Sequence, residues 1–474
     1  MTPAQAQLVE TMTGRFGPKA VLSDPADVAP WLTDWRGRWT GASAAILQPG
    51  STEEVAALVA TAAELEVAIV PQGGNTSMVG GATPPADGSA LIVSLRRMNR
   101  VRKVEPGHAV AEAGVILETL HHAAADTGQR FPLTLGARGS ATIGGLASTN
   151  AGGTQVLRFG PMRGLIDGVE AVLPGGSIHH GLVGLKKDNR GPSLDQLLIG
   201  AEGTLGIITA ARLRLVPAVH QRSVAWLGLA SPDAALDVLR ALEGGTTQIE
   251  GFEILPRESL DAALAHIPGT RNPLEGPHPW HALVEATSAS PNQEAPDVLL
   301  ERLLAPLIGA GLVGDATISA SEAHAGAFWK IRDSLSEAER VAFGPATQHD
   351  ISVPVDAMPR FLRDASAAVE AAFPGTSASG FGHLGDGNIH FHVRAMARAA
   401  EHGGGDWIDQ EGAAVTRLVD DLVTAAGGSI SAEHGIGQMK RDEFARLSPE
   451  RVAAIRALKA GLDPKGLMNP GKLV

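Results

Sequence analysis

The sequence predicts an α+β protein built from two units, and three observations carry that expectation. Up to about residue 217, short apolar strand-like runs alternate with helical segments. After Pro217 the texture changes to long Ala- and Leu-rich helical periodicities separated by short apolar runs, which suggests a sheet with helices on one face. Glycine, at 57 of 474 residues, gathers at 73–81, 136–153, 200–206, 380–387 and 434–437 instead of recurring at a fixed period, which excludes collagen-like and solenoid repeats.

In the first region, Ser51 followed by Glu54 fits a capping box, and Val55–Leu65 behind it is a predicted amphipathic helix. Val67–Val70 and Leu91–Leu95 are predicted strands, Ile116–Thr127 a helix, and Val169–Leu173 and Gly206–Leu215 strands again. The segment 136–153 is too rich in glycine for either element and is expected to be an extended loop. In the second region helices are predicted at 232–243, 293–309, 359–373 and 408–426, and strands at Ala282–Ala286, Ile351–Val355 and Ile389–Val393. Residues 268–279, with four prolines, and 401–406 are expected surface loops. The boundary is set at 217/218, with a second domain over 218–430 and a last segment, 431–474, returning to the first.

Composition narrows the function. With 44% hydrophobic and 19% charged residues the chain is an ordinary globular protein, long enough for a large core. It has no cysteine, so disulfides, thiolate zinc sites, cysteine-held iron–sulfur clusters and thiol nucleophiles are excluded. A net charge of −12 argues against a nucleic-acid partner, because affinity for phosphates comes from Lys and Arg. No secretory signal and no run of about 18 apolar residues is seen, so a soluble, cytoplasmic enzyme is expected.

Three segments point to a phosphate-bearing cofactor. Pro71-Gln72-Gly73-Gly74-Asn75-Thr76-Ser77-Met78-Val79-Gly80-Gly81 follows a strand and exposes successive backbone N–H groups, as an anion-binding nest does. One Gly-Gly pair would be an ordinary turn; two, with Asn, Thr and Ser between them, favour a diphosphate. Neither a G-x-x-x-x-G-K-[ST] loop nor a helix-opening G-x-G-x-x-G is present, so another nucleotide fold is required. The small-residue run from Gly136 to Gly153 can wrap a flat ligand by backbone contact, and Gly200-Ala201-Glu202-Gly203-Thr204-Leu205-Gly206 turns into a strand.

In this order, these segments resemble the FAD-binding domain of the vanillyl-alcohol oxidase / p-cresol methylhydroxylase (PCMH) superfamily. Within it the chain resembles the FAD-linked D-2-hydroxyacid dehydrogenases, the branch of D-2-hydroxyglutarate dehydrogenase, D-lactate dehydrogenase and the glycolate oxidase D-subunit. The resemblance implies a two-subdomain PCMH-type FAD-binding domain over 1–217 and an antiparallel-sheet-and-helix cap domain that binds substrate. It implies flavin contacts from Pro71, Gln72, Gly73, Gly74, Asn75, Thr76, Ser77, Gly80 and Gly81 in the first loop. From the second it implies Gly136, Ser140, Gly144, Gly145, Ser148, Asn150, Gly152 and Gly153; from the third, Glu202, Gly203, Gly206 and Ile208. Asn469, in the closing Met468-Asn469-Pro470-Gly471, is a further implied contact. The first loop carries Asn75 and no histidine, so the FAD is expected to be non-covalent.

The second region supplies the polar chemistry. In Gly380-Phe381-Gly382-His383-Leu384-Gly385-Asp386-Gly387-Asn388-Ile389-His390-Phe391-His392, residues His390 and His392 share a strand face, and the turn can bring His383 back toward them. Lone histidines are usually structural; three beside four glycines point to a Zn²⁺ site or one for a similar ion such as Mn²⁺. Glu433-His434 before a Gly-x-Gly turn is by itself a weak signal. The resemblance implies His383, His390 and Glu433 as metal ligands and His434 as the catalytic base. Arg332 and Ser336 lie four apart on one predicted helix and so share a face; the resemblance implies that they bind the substrate carboxylate.

Two departures bear on substrate. Gln348 stands where these dehydrogenases often have a lysine, and His392 where they have an asparagine; both are expected to touch substrate. The Gln348-His349-Asp350-Ile351-Ser352-Val353-Pro354 segment looks more like the D-2-hydroxyglutarate branch, with D-lactate, glycolate and D-malate as alternatives. Electrons are expected to leave to an electron-transfer flavoprotein, a quinone or a cytochrome, and relatives of this kind are often homodimers. The rival readings are a metal-dependent hydrolase, which leaves the glycine loops unexplained, and a non-catalytic flavin subunit. The purified chain is expected to be yellow and to release all its flavin into the supernatant on acid precipitation. Colourless protein would favour the hydrolase, and flavin retained in the pellet would refute non-covalent binding.

Overall fold

Ser51 starts the helix Thr52–Glu64: its Oγ accepts the Glu54 N–H at 3.2 Å. The Glu54 carboxylate accepts the Gly50 N–H at 2.7 Å, one residue upstream of the expected capping-box partner. Val55, Leu58, Val59 and Ala62 recur at helical spacing and bury against Ile69, Leu91 and Val93 of the neighbouring strands. The structure, a computed structural model, describes residues 1–395 and 406–474. The loop expected at 401–406 lies, apart from its last residue, outside the described residues. The chain forms two units, one of Met1–Gly153, Phe159–Ala218 and Glu433–Val474, the other of Thr154–Arg158 and Val219–Ala432.

The first unit holds two main sheets. One has four strands in the order Val21–Leu22, Ile46–Leu47, Ala90–Ser94, Ala68–Gln72, the last three parallel. All five residues of Ala90–Ser94 are buried, as expected of a parallel strand covered on both faces. The second sheet is antiparallel, in the order Val101–Glu105, His108–Glu112, Ile207–Arg214, Ile166–Val172, Ile178–His180. The C-terminal segment joins the first sheet's edge through a parallel bridge between Ile69 and Met468.

The 136–153 segment corrects the expectation of an extended loop, because Ile143–Thr149 is helical. Thr142 caps it by accepting the Gly145 N–H, and Asn150 ends it in the left-handed conformation at φ 53°. Glycine is tolerated here because the helix packs against backbone. A Cβ on Gly144 would lie 2.6 Å from the Cβ of Ala113.

The second unit is built on seven antiparallel strands in the order Asp315–Ile318, Gln221–Leu229, Trp280–Ser288, Ile249–Pro256, Ser377–His383, Asn388–Arg394, Ala346–Ser352. Helices cover both faces, not one. Arg257–His266, Glu322–Asp333 and Leu335–Phe343 share a core with Val224, Trp226, Leu255 and Phe381 on one face. Met358–Ala372 packs on the other, with Phe361 against Phe391 at 6.0 Å between ring centroids. The uninterrupted burial of Ile249–Pro256 follows from this double cover. Removing the Phe391 ring by Phe391→Ala is expected to cost about 3–5 kcal/mol; chemical denaturation of the purified chain measures it, and a loss under 1 kcal/mol would contradict this packing.

Candidate active site

The first unit contains a cleft of about 690 Å³ whose walls are mostly glycine, serine, threonine and alanine. All seven residues from Pro71 to Ser77 line it, with Gly81. Gly136, Ser140, Gly144, Gly145, Ser148 and Gly152 form a second wall, and Glu202, Gly203, Gly206 and Ile208 a third. The first two loops meet backbone to backbone: a Cβ on Gly74 would sit 2.0 Å from the Ser140 carbonyl oxygen. A side chain there would force the two loops apart, so glycine is what lets main-chain groups close around a flat, diphosphate-bearing ligand. The cleft therefore fits FAD.

Four residues expected at the cofactor lie outside the lining and serve structure. Asn150 caps its helix, and its Oδ1 accepts the Arg163 N–H at 2.8 Å. Gly153 passes so close to Thr134 that a Cβ would lie 2.2 Å from its carbonyl oxygen. Gly80, at φ 67°, makes room for the Gln438 side chain. Asn469 is buried, and its Nδ2 donates to the carbonyl oxygens of Gly81 at 3.0 Å and Glu202 at 2.6 Å, clipping two walls together. Met78 and Thr142 line the cleft from within the first two loops, and Trp35 lines it from outside any anticipated segment. Trp35 lies in an N-terminal stretch outside the glycine clusters, with only the scattered Gly37 and Gly41 nearby.

Glu433 and His434 belong to this unit and line the same cleft. Their segment is held by Glu202, whose carboxylate accepts the Ile436 N–H at 2.7 Å and the Gly437 N–H at 2.8 Å. Burial raises the Glu202 pKa, and these two N–H groups with Lys472 and Lys440 oppose the rise. Lys472, itself buried, is pushed down to about 8 by burial and by Arg441, against the pull of Glu202.

The second unit gathers the other polar candidates on the face of the sheet that carries Phe381. His383 and His390 stand 5.6 Å apart between ring centroids. The His383 Nδ1 lies 2.6 Å from Oε1 of Glu253, a carboxylate with 1% side-chain exposure. Arg332 donates its Nε to the other oxygen, Oε2, at 2.8 Å, and its Nη2 lies 3.0 Å from His383 Nε2. Burial alone would raise Glu253; the Arg332 charge and the contacts made by His383 and Arg332 outweigh it and hold the carboxyl below its usual range. Burial, reinforced by Arg332 and His383, pushes His390 well below the usual imidazole value.

His392 repeats the pattern, with Nδ1 2.7 Å from Glu339, which also pairs with Arg394 at 3.2 Å. Gln348 is paired with His392 across the strands. Arg332 and Ser336 do not share a helix as expected. The first helix ends at Asp333, where Ser334 Oγ donates back to the Lys330 carbonyl, and a second begins at Leu335. Ser336 is exposed, whereas Arg332 is largely enclosed. Glu253 and Glu339 were missed. A charged residue in the middle of the apolar run Ile249-Glu250-Gly251-Phe252-Glu253-Ile254-Leu255 was the available signal for the first; the second had none.

The fold and the cleft define a flavin enzyme, and comparison with known proteins agrees. Residues 43–181 match the FAD binding domain model and residues 219–473 the model of the C-terminal domain of FAD linked oxidases. The chain belongs to the FAD-linked oxidase family and is an FAD-dependent oxidoreductase. Its fold is that of p-cresol methylhydroxylase, whose substrate-bound crystal structure superposes with a TM-score of 0.72 at 15% identity, covering 100% of this chain and 97% of that one. The 4-ethylphenol oxidase of Gulosibacter chungangensis gives 0.69 at 19% identity with the same coverage.

Among individual proteins, the chain is similar to D-2-hydroxyglutarate dehydrogenases. It is 35% identical to the mitochondrial one of Arabidopsis thaliana, over 97% of this chain and 80% of the relative. It is 36% identical to that of Xanthomonas citri, over 95% and 93%. A putative mitochondrial D-lactate dehydrogenase of Schizosaccharomyces pombe is 32% identical, over 95% and 86%. No helix among the described residues is long and apolar enough to cross a membrane.

Because Lys472 binds its proton more weakly folded than unfolded, stability is expected to rise with pH between about 8 and 10.5. Over that range the unfolded chain carries a proton on this lysine that the folded chain has released. Lys472→Met should flatten this rise and increase the melting temperature at pH 7. An unchanged pH profile of melting would rule out a strained lysine.

Proposed function

We propose that the protein oxidises a D-2-hydroxy acid to the 2-keto acid, with D-2-hydroxyglutarate the substrate. The observation that carries this reading is His434, an imidazole on the wall of the glycine-lined flavin cleft. The names of the relatives support the substrate, and the D-lactate dehydrogenase among them supports D-lactate as the second choice.

His383, His390 and Glu433 are the proposed ligands of a divalent cation, Zn²⁺ or Mn²⁺. The two histidines suit the role because Glu253 takes the Nδ1 side of His383 and burial lowers the His390 pKa, which favours the neutral imidazole. A cation held there would supply Lewis acidity toward the substrate hydroxyl, and FAD held by the glycine-lined cleft would supply the hydride-accepting redox chemistry. Arg332 orients the C1 carboxylate by charge-assisted hydrogen bonds, with Ser336 a weaker candidate because it is exposed. His434 removes the hydroxyl proton as the hydride leaves, so the substrate gives up one proton and one hydride and becomes a ketone. His392, fixed by Glu339, and Gln348 beside it read the far end of the acid. The electrons then pass to an electron-transfer flavoprotein, a quinone or a cytochrome.

Anaerobic mixing of His434→Ala with D-2-hydroxyglutarate is expected to leave the flavin oxidised, with reduction slowed at least about 100-fold and FAD content unchanged. Reduction at the wild-type rate would remove His434 from the mechanism. A stopped-flow screen of D-2-hydroxyglutarate, D-lactate, D-malate and glycolate ranks the substrates.

A further inference from the structure

Glu253 is a carboxylate in a strand whose eight residues are all buried, a position that sequence patterning reserves for apolar side chains. Burying an ion there costs several kcal/mol unless it is fully paired. Both of its oxygens are engaged, and by different partners: Oε1 with His383 Nδ1 at 2.6 Å and Oε2 with Arg332 Nε at 2.8 Å. The strand register makes this meeting rigid, because Glu253 and His383 are direct cross-strand partners. With Nδ1–H donating to the Glu253 carboxylate, His383 keeps its lone pair on Nε2. The guanidinium, gripped by its Nε, turns its Nη2 toward that same nitrogen, 3.0 Å away.

We propose that Glu253 is a positioning residue that sets two binding groups at once: the His383 tautomer that presents Nε2 to a divalent cation, and the Arg332 guanidinium that takes the substrate carboxylate beside it. The assignment rests on the metal and arginine roles proposed above and adds the residue that couples them. A carboxylate behind a ligating imidazole raises its basicity and fixes its ring. One carboxylate shared with the arginine makes cation affinity and acid affinity change together.

The test uses the flavin-loaded chain. Zn²⁺ affinity is measured by competition with a chromogenic chelator for wild type, Glu253→Gln, His383→Ala and the double variant. Glu253→Gln keeps the side-chain shape; melting temperature and flavin content check that it is folded. We expect it to weaken Zn²⁺ by roughly 10- to 100-fold and to raise the KM for the hydroxy acid at saturating metal. In the His383→Ala background it should weaken Zn²⁺ no further. A ¹⁵N-histidine spectrum should show His383 shifting from a single Nδ1–H tautomer in wild type toward a mixture in Glu253→Gln, a change that a structural role alone would not produce. Wild-type Zn²⁺ affinity in Glu253→Gln, or the same loss with and without His383, would overturn the assignment while leaving the metal site standing. A wild-type chain that takes up no Zn²⁺ would overturn the metal site itself and the assignment with it.

Discussion

The first unit depends on one buried carboxylate gripping two backbone N–H groups. Glu202 sits in the third wall of the flavin cleft, at a positive φ of 52°, and its oxygens hold Ile436 and Gly437 from a segment more than two hundred residues later. That grip helps to hold the segment carrying Glu433 and His434 on the cleft wall, together with the Val79 carbonyl, which accepts the Gln438 N–H at 3.1 Å. Asn469 adds a second clip through the Glu202 and Gly81 carbonyls, and Lys459 a third through the Thr204 carbonyl at 3.0 Å. A charge is an expensive way to fasten a loop. It is also specific, because two N–H donors must converge on it in a fixed geometry.

The second unit solves a different problem with the same chemistry. Its sheet is covered on both faces, so any polar residue on it must find a partner inside the protein. Glu253 and Glu339 each receive the Nδ1 side of a histidine and a guanidinium, and the two sets stand on neighbouring parts of one face. Each imidazole is thereby locked in orientation while its other nitrogen is directed away from the carboxylate. The geometry suits a site that binds a small charged ligand, since reorganisation on binding is small.

Much of this was legible along the chain. The cleft walls were visible as glycine clusters because backbone approach excludes side chains, and that exclusion is written in residue type; Gly74 beside the Ser140 carbonyl shows why. The histidine row was visible because strand alternation places His390 and His392 on one face. Elements whose periodicity is local, such as Thr52–Glu64 and Met358–Ala372, lie within a few residues of their expected bounds. Less legible were places where local preference and tertiary packing disagree. Ile143–Thr149 is a helix despite its glycines because Gly144 lies against Ala113, and the break at Ser334 divides a helix that periodicity alone would continue.

The sequence by itself determined a cradle for a phosphate-bearing ligand and a row of imidazoles, because phosphate nests and imidazole rows are built from neighbours in the chain, and the family resemblance of those motifs implied FAD. Only the tertiary structure decided which acids serve those groups. Glu253 meets His383 across 130 residues, Glu339 meets His392 across 53, and Glu202 meets Ile436 across 234. An ion pair is set by where two side chains end in space, and strand register and loop return settle that after the local elements have formed.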